Sequence, residues 1–228
     1  MAIIWYNDKR GVNLGKIYKT LLGYGVAEVE IKKSKFIGHA SPVASEEEAI
    51  KFIEKIRAEH RLATHNVYAY VVGENDEIQR FSDDGEPSGT AGMPVLNVIK
   101  KQELKNVVVV VTRYFGGILL GAGGLVRAYT KAAKMGIDAA GIVEKIPAKE
   151  IELTFDYNLL GKIQNELLRR DYLIKDISYA DKVIITLPVV EEKVSEFKNF
   201  ITDLTASRCD IRVKEDVYLF KKDGKYIL

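Results

Sequence analysis

Five glycines and two arginines are concentrated between residues 113 and 127 of this chain. The glycines are Gly116, Gly117, Gly121, Gly123 and Gly124. The last three directly precede a helical pattern, and the free N–H groups and positive dipole of a helix start can bind an anion. Arg127 adds positive charge one turn further on. The segment has neither the Gly-Lys-Ser/Thr of a P-loop nor the spacing of a dinucleotide fingerprint. Two interpretations stay open, a phosphate site or close helix–sheet packing.

Arg113 follows a run of five valines, Val107–Val111. An unbroken apolar run of this kind predicts a strand that is buried on both faces. An arginine at its end needs a carboxylate or phosphate partner, because a buried unpaired charge is costly. Asp83 or Asp84 is the predicted partner within the protein, and an anionic ligand is the alternative. The glycine pair that follows allows a tight turn or the close approach of another surface.

An acidic, turn-rich segment, FSDDGEPSGTAG, occupies residues 81–92. Its side chains Asp83, Asp84 and Glu86 can bind Mg²⁺ through hard oxygens or contact a basic partner. The same residues are also ordinary turn chemistry, although a long loop in a compact domain often carries function. His65 is predicted to place a polar, hydrogen-bonding ring beside this loop. No catalytic residue, metal ligand set or cofactor is assigned from the sequence.

The composition is that of an ordinary globular protein, with 47% hydrophobic and 29% charged residues among 228. A net charge of +2 gives no strong basic field, so nucleic-acid binding would need a local patch. The single cysteine, Cys209, cannot form an internal disulfide, which favours a reducing, cytoplasmic location. No apolar stretch reaches the ~20 residues of a membrane span. Residues 1–17 are predicted to be a short extension without a secretory signal.

Hydrophobic periodicity in the first half predicts the elements that position these residues. Ser45 is a predicted helix N-cap, because Glu48 three residues later completes a capping box. Predicted strands cover Ala27–Ile31, His65–Gly73 and Val107–Val111, and predicted helices begin at Ser45 and cover Met93–Lys101 and about Leu125–Ala140. Residues 74–92 are predicted to be a loop.

From Pro147 onward the pattern changes to the order β-α-β-β-α-β. The predicted strands are Glu150–Tyr157, Tyr172–Tyr179, Val183–Pro188 and Asp210–Phe220, and the predicted helices are Leu159–Arg170 and Glu191–Leu204. This order is the split-βαβ, ferredoxin-like arrangement, so the predicted fold class is α+β. The predicted organisation is an extension (1–17), a first domain (18–146) and a second domain (147–228).

Three segments resemble the YigZ/IMPACT family, also called UPF0029, in its bacterial-type two-domain form. They are EIKKSKFIGHA, FSDDGEPSGTAGMPVL and VVVVVTRYFGGILLGAGGLVRAY, and residues 113–117 of the third match the family signature. The resemblance runs from about Tyr18 to the C-terminus. It implies a first domain similar to the second domain of ribosomal protein S-five. It also implies a second, ferredoxin-like domain similar to domain V of elongation factor G.

The resemblance also implies a function linked to translation. The eukaryotic IMPACT protein restrains a starvation-activated initiation-factor kinase by competing for that kinase's activator, a contact associated with an N-terminal RWD domain. We therefore expect a cytoplasmic, non-catalytic regulator that binds RNA, the ribosome or a translation-control protein. Its expected binding residues are His65, Asp83, Asp84, Glu86, Arg113, Gly116, Gly117, Gly121, Gly123, Gly124 and Arg127. No cofactor and no membrane contact are expected, and the oligomeric state is left open.

Two rival interpretations come from other functional classes. One is an enzyme or binding protein for a small phosphorylated or nucleotide ligand, in which the residues 121–124 hold phosphate and the acidic loop holds Mg²⁺. The other is a protein–protein adaptor. The environment of Arg113 discriminates between roles for this region. An open, positive groove favours ligand binding there, whereas a buried arginine paired with the acidic loop favours a scaffold.

Overall fold

The computed structural model describes residues 15–227, which form a mixed α/β protein with two antiparallel sheets and five helices. The chain divides into two compact units. The first spans Tyr18–Glu144, and the second contains the described residues from Lys145 onward together with residues 15–17. Most of the extension predicted for residues 1–17 therefore lies outside the described residues. Within residues 15–227, no helix is long and apolar enough to cross a membrane.

The first unit contains a five-stranded sheet in the order β2-β3-β6-β4-β5, together with three helices. The strands of this unit are β1 (Tyr18–Leu21), β2 (Gly25–Ile31), β3 (Ser34–Pro42), β4 (His65–Val72), β5 (Ile78–Ser82) and β6 (Val107–Tyr114). Its helices are α1 (Glu46–Glu59), α2 (Gly92–Lys101) and α3 (Ala122–Ala140). The central strand β6 pairs antiparallel with both β3 and β4.

The valine run forms the centre of this sheet, and the prediction that it is buried on both faces is confirmed. All five valines of β6 are 0% exposed. Because side chains alternate along a strand, Val107, Val109 and Val111 join the core cluster that also contains residues of α2 and α3. Val108 and Val110 join a second cluster with residues of α1. The sheet is therefore covered on both faces.

Local signals in the sequence explain where α1 begins and why α3 begins earlier than predicted. Ser45 is the N-cap of α1, and its hydroxyl accepts the Glu48 N–H at 3.3 Å. Helix α3 begins at Ala122 rather than near Leu125, with Gly121 as its N-cap at φ 73°. Glycines disfavour helix interiors, which is why the pattern suggested a later start. Gly123 and Gly124 consequently lie in the first turn of the helix.

The second unit follows the predicted order β-α-β-β-α-β and adds one short strand. Its elements are β7 (Ile142–Phe155, of which residues 142–144 belong to the first unit), α4 (Leu160–Arg169), β8 (Asp176–Tyr179), β9 (Val183–Val190), α5 (Val194–Thr205), β10 (Cys209–Lys222) and β11 (Lys225–Ile227). The sheet order is β11-β10-β7-β9-β8. One apolar cluster joins α4 and α5 to the sheet, centred on Ile151, Leu153, Ile163 and Phe197.

Strands β1, β3 and β11 are not among the predicted strands, β8 is shorter than predicted, and β5 and β7 also differ from the prediction. Strand β7 begins at Ile142 and runs through Pro147, whereas the prediction began the strand at Glu150. Its antiparallel register with β9 starts at Ala148, so Pro147 precedes that register and its missing N–H breaks no bond there. Strand β5 lies inside the predicted loop 74–92. It is a short strand whose five residues pair with β4 in a hairpin, and its own sequence has no clear alternation of apolar and polar residues.

Candidate functional site

Arg113 is buried at the end of β6, with 5% of its surface exposed. Its Nη1 donates to Glu86 Oε1 at 2.6 Å, and its Nη2 donates weakly to Ser34 Oγ at 3.4 Å. The guanidinium carbon also lies 5.3 Å from the ring centroid of Phe36 and 5.3 Å from that of Phe115. The arginine is therefore held between two aromatic rings by an internal carboxylate, as in a structural clamp.

Asp83 or Asp84 was the predicted partner of Arg113. This prediction is wrong, because each aspartate binds other groups. The Asp83 carboxylate accepts the N–H groups of Gly89 at 2.9 Å, Ala91 at 3.1 Å and Gly92 at 2.8 Å. It therefore satisfies backbone donors at the start of α2. Asp84 accepts the Asn66 N–H at 2.6 Å and forms an ion pair with Arg57 at 3.0 Å.

Tyr129 completes the clamp from helix α3. Its hydroxyl donates to Glu86 Oε1 at 2.7 Å, and the residue is 0% exposed. Burial, followed by the hydrogen bond and charge of Glu86, raises the pKa of the Tyr129 phenol far above its ordinary value. The phenol therefore keeps its proton and remains a donor. One glutamate oxygen thus connects the acidic loop to both β6 and α3.

His65 lies beside the acidic loop at the start of β4. Its Nδ1 is 2.7 Å from the carbonyl oxygen of Asp84, and since a carbonyl only accepts, Nδ1 carries the proton. Its Nε2 is 3.8 Å from Glu86 Oε1, which is too long for a hydrogen bond. The ring thus ties the loop backbone to the sheet and has 19% of its side-chain surface exposed.

The three acidic side chains of the loop do not converge on a common point. Asp83 caps α2, Asp84 contacts β4 and α1, and Glu86 binds Arg113. Within residues 15–227, no group of three His, Cys, Asp or Glu side chains is arranged to hold a metal ion. The Mg²⁺ arrangement considered from the sequence therefore has no preformed ligand set in the described chain.

Gly116 is required where the chain leaves β6. A Cβ atom at Gly116 would lie 1.9 Å from the carbonyl oxygen of Lys33, so only glycine allows this approach. Its N–H donates to Ser34 Oγ at 3.1 Å. The adjacent Gly117 has nothing within 4 Å of the corresponding position. The turn between β2 and β3 therefore packs directly on Gly116, the first glycine of the signature pair.

The start of α3 is open to solvent. At Gly121 no atom lies within 4 Å of the position that a Cβ would occupy, and at Gly123 the nearest atom is Arg127 Nη1 at 3.9 Å. Gly124 is more restricted, because Leu120 Cβ would lie 3.0 Å away. The first turn has no acidic residue and no side-chain cap. Close packing therefore does not explain Gly121 and Gly123, and the N–H groups of this turn are accessible beside a guanidinium.

Three loops meet at this end of the first unit. The Phe115 N–H donates to Thr64 Oγ1 at 3.1 Å, which joins the β6–α3 connection to the α1–β4 loop, while Gly116 joins it to the β2–β3 turn. Exposed on these loops and on the start of α3 are Lys32, Lys33, Arg61, Leu62, Phe115, Ile118, Leu119, Gly121, Gly123 and Arg127. We call this set the β6-end surface. Its four cationic side chains form no ion pair with any residue in the range 15–227.

Sequence reasoning missed several residues that hold Arg113 or the acidic loop in place. They are Ser34, Phe36, Arg57 and Tyr129. Ser34 and Phe36 belong to the segment EIKKSKFIGHA, and Tyr129 ends the segment VVVVVTRYFGGILLGAGGLVRAY. A usable signal was therefore present, because these residues occur inside the same motifs as Arg113. Arg57 lies on α1, and nothing in its local sequence points to the loop.

A small cavity of about 90 Å³ lies in the second unit, away from the predicted site residues. Its lining includes Arg170, Tyr172, Lys193 and Tyr226. Arg170 is already stacked on Phe200, with its guanidinium carbon 4.1 Å from the ring centroid. Ligand pockets are commonly several hundred Å³, so this cavity is too small for a nucleotide.

Together these features define a two-unit mixed α/β protein whose first unit holds a buried arginine clamp below an exposed glycine-rich helix start. Residues 32–137 match the family model of the Impact N-terminal domain, and residues 153–208 match a domain of unknown function, DUF1949. The chain belongs to the IMPACT family.

Relatives from bacteria align over most of their length. The chain is 48% identical over 204 residues to the IMPACT family member YvyE of Bacillus subtilis, covering 90% of this chain and 94% of that protein. It is 36% identical over 189 residues to YigZ of Escherichia coli, covering 82% and 93%. Protein IMPACT of Rattus norvegicus is 37% identical over 100 residues, covering 42% of this chain and 31% of that protein.

A solved structure described as the crystal structure of an hypothetical protein is also similar. It has a TM-score of 0.57 and 33% sequence identity, and the match covers 89% of this chain and 99% of that chain. The similarity therefore extends through both units rather than a single motif.

Proposed function

We propose that this chain is a non-catalytic, translation-linked protein that binds the phosphate backbone of RNA. The observation that carries this proposal is the exposed first turn of α3, with Gly121 and Gly123 uncovered and Arg127 beside them. Backbone N–H groups at a helix start, together with its dipole, attract phosphate oxygens. Glycine lets a phosphate approach these donors without meeting a side chain.

The environment of Arg113 supports separate structural and binding roles for the sequence motifs. Arg113 has its carboxylate partner inside the protein and is not an exposed phosphate ligand. Asp84 and Glu86 are paired with Arg57 and Arg113, and Asp83 is held by backbone N–H groups, so the acidic loop is committed to contacts inside the protein. In this account the acidic loop and Arg113 form the scaffold, and α3 presents the binding groups.

The distribution of cations supports an electrostatic contact. Arg127 lies beside the exposed helix start, and Lys32, Lys33 and Arg61 are exposed on the loops that meet at Phe115 and Gly116; none of the four is in an ion pair with a described residue. The whole chain has a net charge of only +2, so the attraction is local. Binding that neutralises a few phosphates weakens steeply with salt, because condensed counterions are released. We therefore expect moderate, strongly salt-dependent affinity.

Membership of the IMPACT family supports the link with translation, through the regulatory role that the resemblance implies. The expected likeness of the units to a ribosomal-protein domain and to domain V of elongation factor G points in the same direction. A likeness of fold is an argument by analogy and does not define a site. The ribosome is therefore the natural source of the RNA, and a translation-control protein is the competing partner.

The rival function, an enzyme for a phosphorylated ligand or nucleotide, has weaker support. It would need carboxylates that converge on a metal, and those of the acidic loop are used separately. A thermal-shift series with nucleotides, with and without Mg²⁺, separates the two proposals, because a ligand that binds only the native state raises Tm. We expect no shift, and a saturable nucleotide-dependent rise in Tm would favour the enzyme.

Fluorescence anisotropy with a labelled RNA over a series of salt concentrations tests the proposal. Arg127→Ala should weaken binding and reduce the slope of log K against log salt by about 0.7–1, the amount for one phosphate contact. Lys101→Ala is a matched control, because Lys101 is exposed at the end of α2, near the opposite end of β6. Equal effects of the two substitutions, or no salt-dependent binding by the unmodified chain, would overturn the proposal.

A further inference from the structure

Phe115 is a large aromatic residue that the fold holds at the surface. Its surface is 45% exposed, and its backbone N–H is fixed by Thr64 Oγ1 at 3.1 Å. The guanidinium carbon of buried Arg113 lies 5.3 Å from its ring centroid, and Arg113 is in turn fixed by Glu86 at 2.6 Å. The ring is therefore supported from the interior by a cation and open on the solvent side.

The surroundings of Phe115 are both apolar and cationic. Leu62 is 92% exposed, Leu119 is 82% exposed and Ile118 is 40% exposed. Lys32 and Lys33 lie on the turn that packs against Gly116, one residue after Phe115. The four cations and the exposed apolar side chains of the β6-end surface favour a partner that combines planar or apolar groups with negative charge.

We propose that Phe115 is a stacking platform for an unpaired base, so that the chain selects single-stranded over double-stranded RNA. This inference rests on the proposed RNA binding and names its substrate class. Single strands offer unstacked bases that can lie on aromatic side chains, whereas the bases of an A-form duplex are stacked on one another. Lys32, Lys33 and Arg127, which are exposed on the same surface, would contact phosphates of the bound strand. The buried Arg113 thus contributes by supporting the ring.

The test compares a short single-stranded RNA with a blunt duplex of the same length, using the full chain and Phe115 variants. Phe115→Leu should weaken single-strand binding about tenfold, the usual scale for losing one stacked base, and leave duplex binding unchanged. Phe115→Trp should retain single-strand affinity. Phe81→Leu is the matched control, because Phe81 is a similarly exposed phenylalanine (40%) on β5. Equal Tm values for the Leu and Trp variants would confirm that folding is preserved.

A second readout reports stacking directly. A 2-aminopurine base in the single strand should lose fluorescence when the strand binds the unmodified chain or Phe115→Trp. The fluorescence should stay largely unchanged when the strand binds Phe115→Leu. If the chain binds single strands and duplexes equally, or if Phe115→Leu has no effect on either readout, the inference is wrong while RNA binding stands. If no RNA binds at all, the proposed function fails as well. Capture of a protein through Phe115 without RNA binding would also contradict the inference.

Discussion

Arg113 Nη1 and Glu86 Oε1 lie 2.6 Å apart, with 6% and 3% of their side-chain surfaces exposed. This pair joins the central strand of the first unit to the acidic loop, and Tyr129 joins it to α3. The two most prominent motifs of the sequence therefore meet in one buried contact. The buried pair stabilises the β6-end surface, to which the second of these motifs also contributes exposed residues such as Phe115 and Arg127.

Breaking this pair should strongly destabilise the first unit. Glu86→Ala leaves a buried guanidinium without its carboxylate, which typically costs about 3–5 kcal/mol. Urea unfolding of the full chain, monitored by circular dichroism, would measure the loss of stability. Arg127→Ala is the control, because an exposed substitution usually stays within about ±0.5 kcal/mol. Similar unfolding midpoints for the two variants would contradict the clamp.

The Tyr129→Phe variant should lose less stability at alkaline pH than the unmodified chain does. The pKa of the Tyr129 phenol is raised in the folded chain, by burial and then by Glu86. Its contribution to stability is therefore complete below the ordinary tyrosine pKa of about 10 and is lost as pH rises above it. The pKa values of other tyrosines are also raised, so the informative quantity is the difference in unfolding free energy between the unmodified chain and Tyr129→Phe. That difference, measured by unfolding from pH 8 to 11, should shrink with pH.

His39→Gln should change stability in acid. His39 is 3% exposed, and burial, followed by the nearby His60, lowers its pKa from 6.5 to about 4. The unfolded chain takes up a proton in this window that the native chain does not, so stability falls as pH drops from 6.5 towards 4. The loss is up to about 3 kcal/mol. Unfolding curves at pH 7, 5.5 and 4.5 should show a smaller decrease for the variant, and parallel decreases would contradict the shift.

Gly123→Ala should separate stability from RNA binding. The position is helical and has only Arg127 Nη1 near it, at 3.9 Å. Alanine is up to about 1 kcal/mol better than glycine in a helix, so Tm should rise slightly. The added methyl group would cover the N–H groups of the first turn, so RNA affinity should fall. A stabilised variant with unchanged RNA affinity would argue against a phosphate at this position.

Elements with local signals could be predicted from the sequence. The valine run predicts a doubly buried strand, and Ser45 with Glu48 predicts the start of α1. Strand β5 could not be predicted, because it depends on pairing with β4, which precedes it and is separated from it by an acidic turn. The predicted start of α3 was too late in the sequence, because glycines in its first turn weaken the helical pattern.

The partner of Arg113 shows a similar limit at the site. Asp83, Asp84 and Glu86 are nearly equivalent in sequence, but the turns of the loop give each a different direction. Three N–H groups at the start of α2 hold Asp83, and the Asn66 N–H holds Asp84, which leaves Glu86 for the arginine. Such an assignment depends on three-dimensional hydrogen-bond geometry, which the spacing of acidic residues does not define.

The most direct measurement follows backbone amide resonances of the ¹⁵N-labelled full chain while a short single-stranded RNA is added. The amides of Gly121, Gly123 and Gly124 should shift progressively and saturably, because their N–H groups would contact phosphate. Gly161 is the internal reference, since it lies in the first turn of α4 and also has nothing within 4 Å of a Cβ position. We predict shifts at the three glycines and none at Gly161. Unchanged resonances at residues 121–124 under conditions where RNA binds would contradict the account.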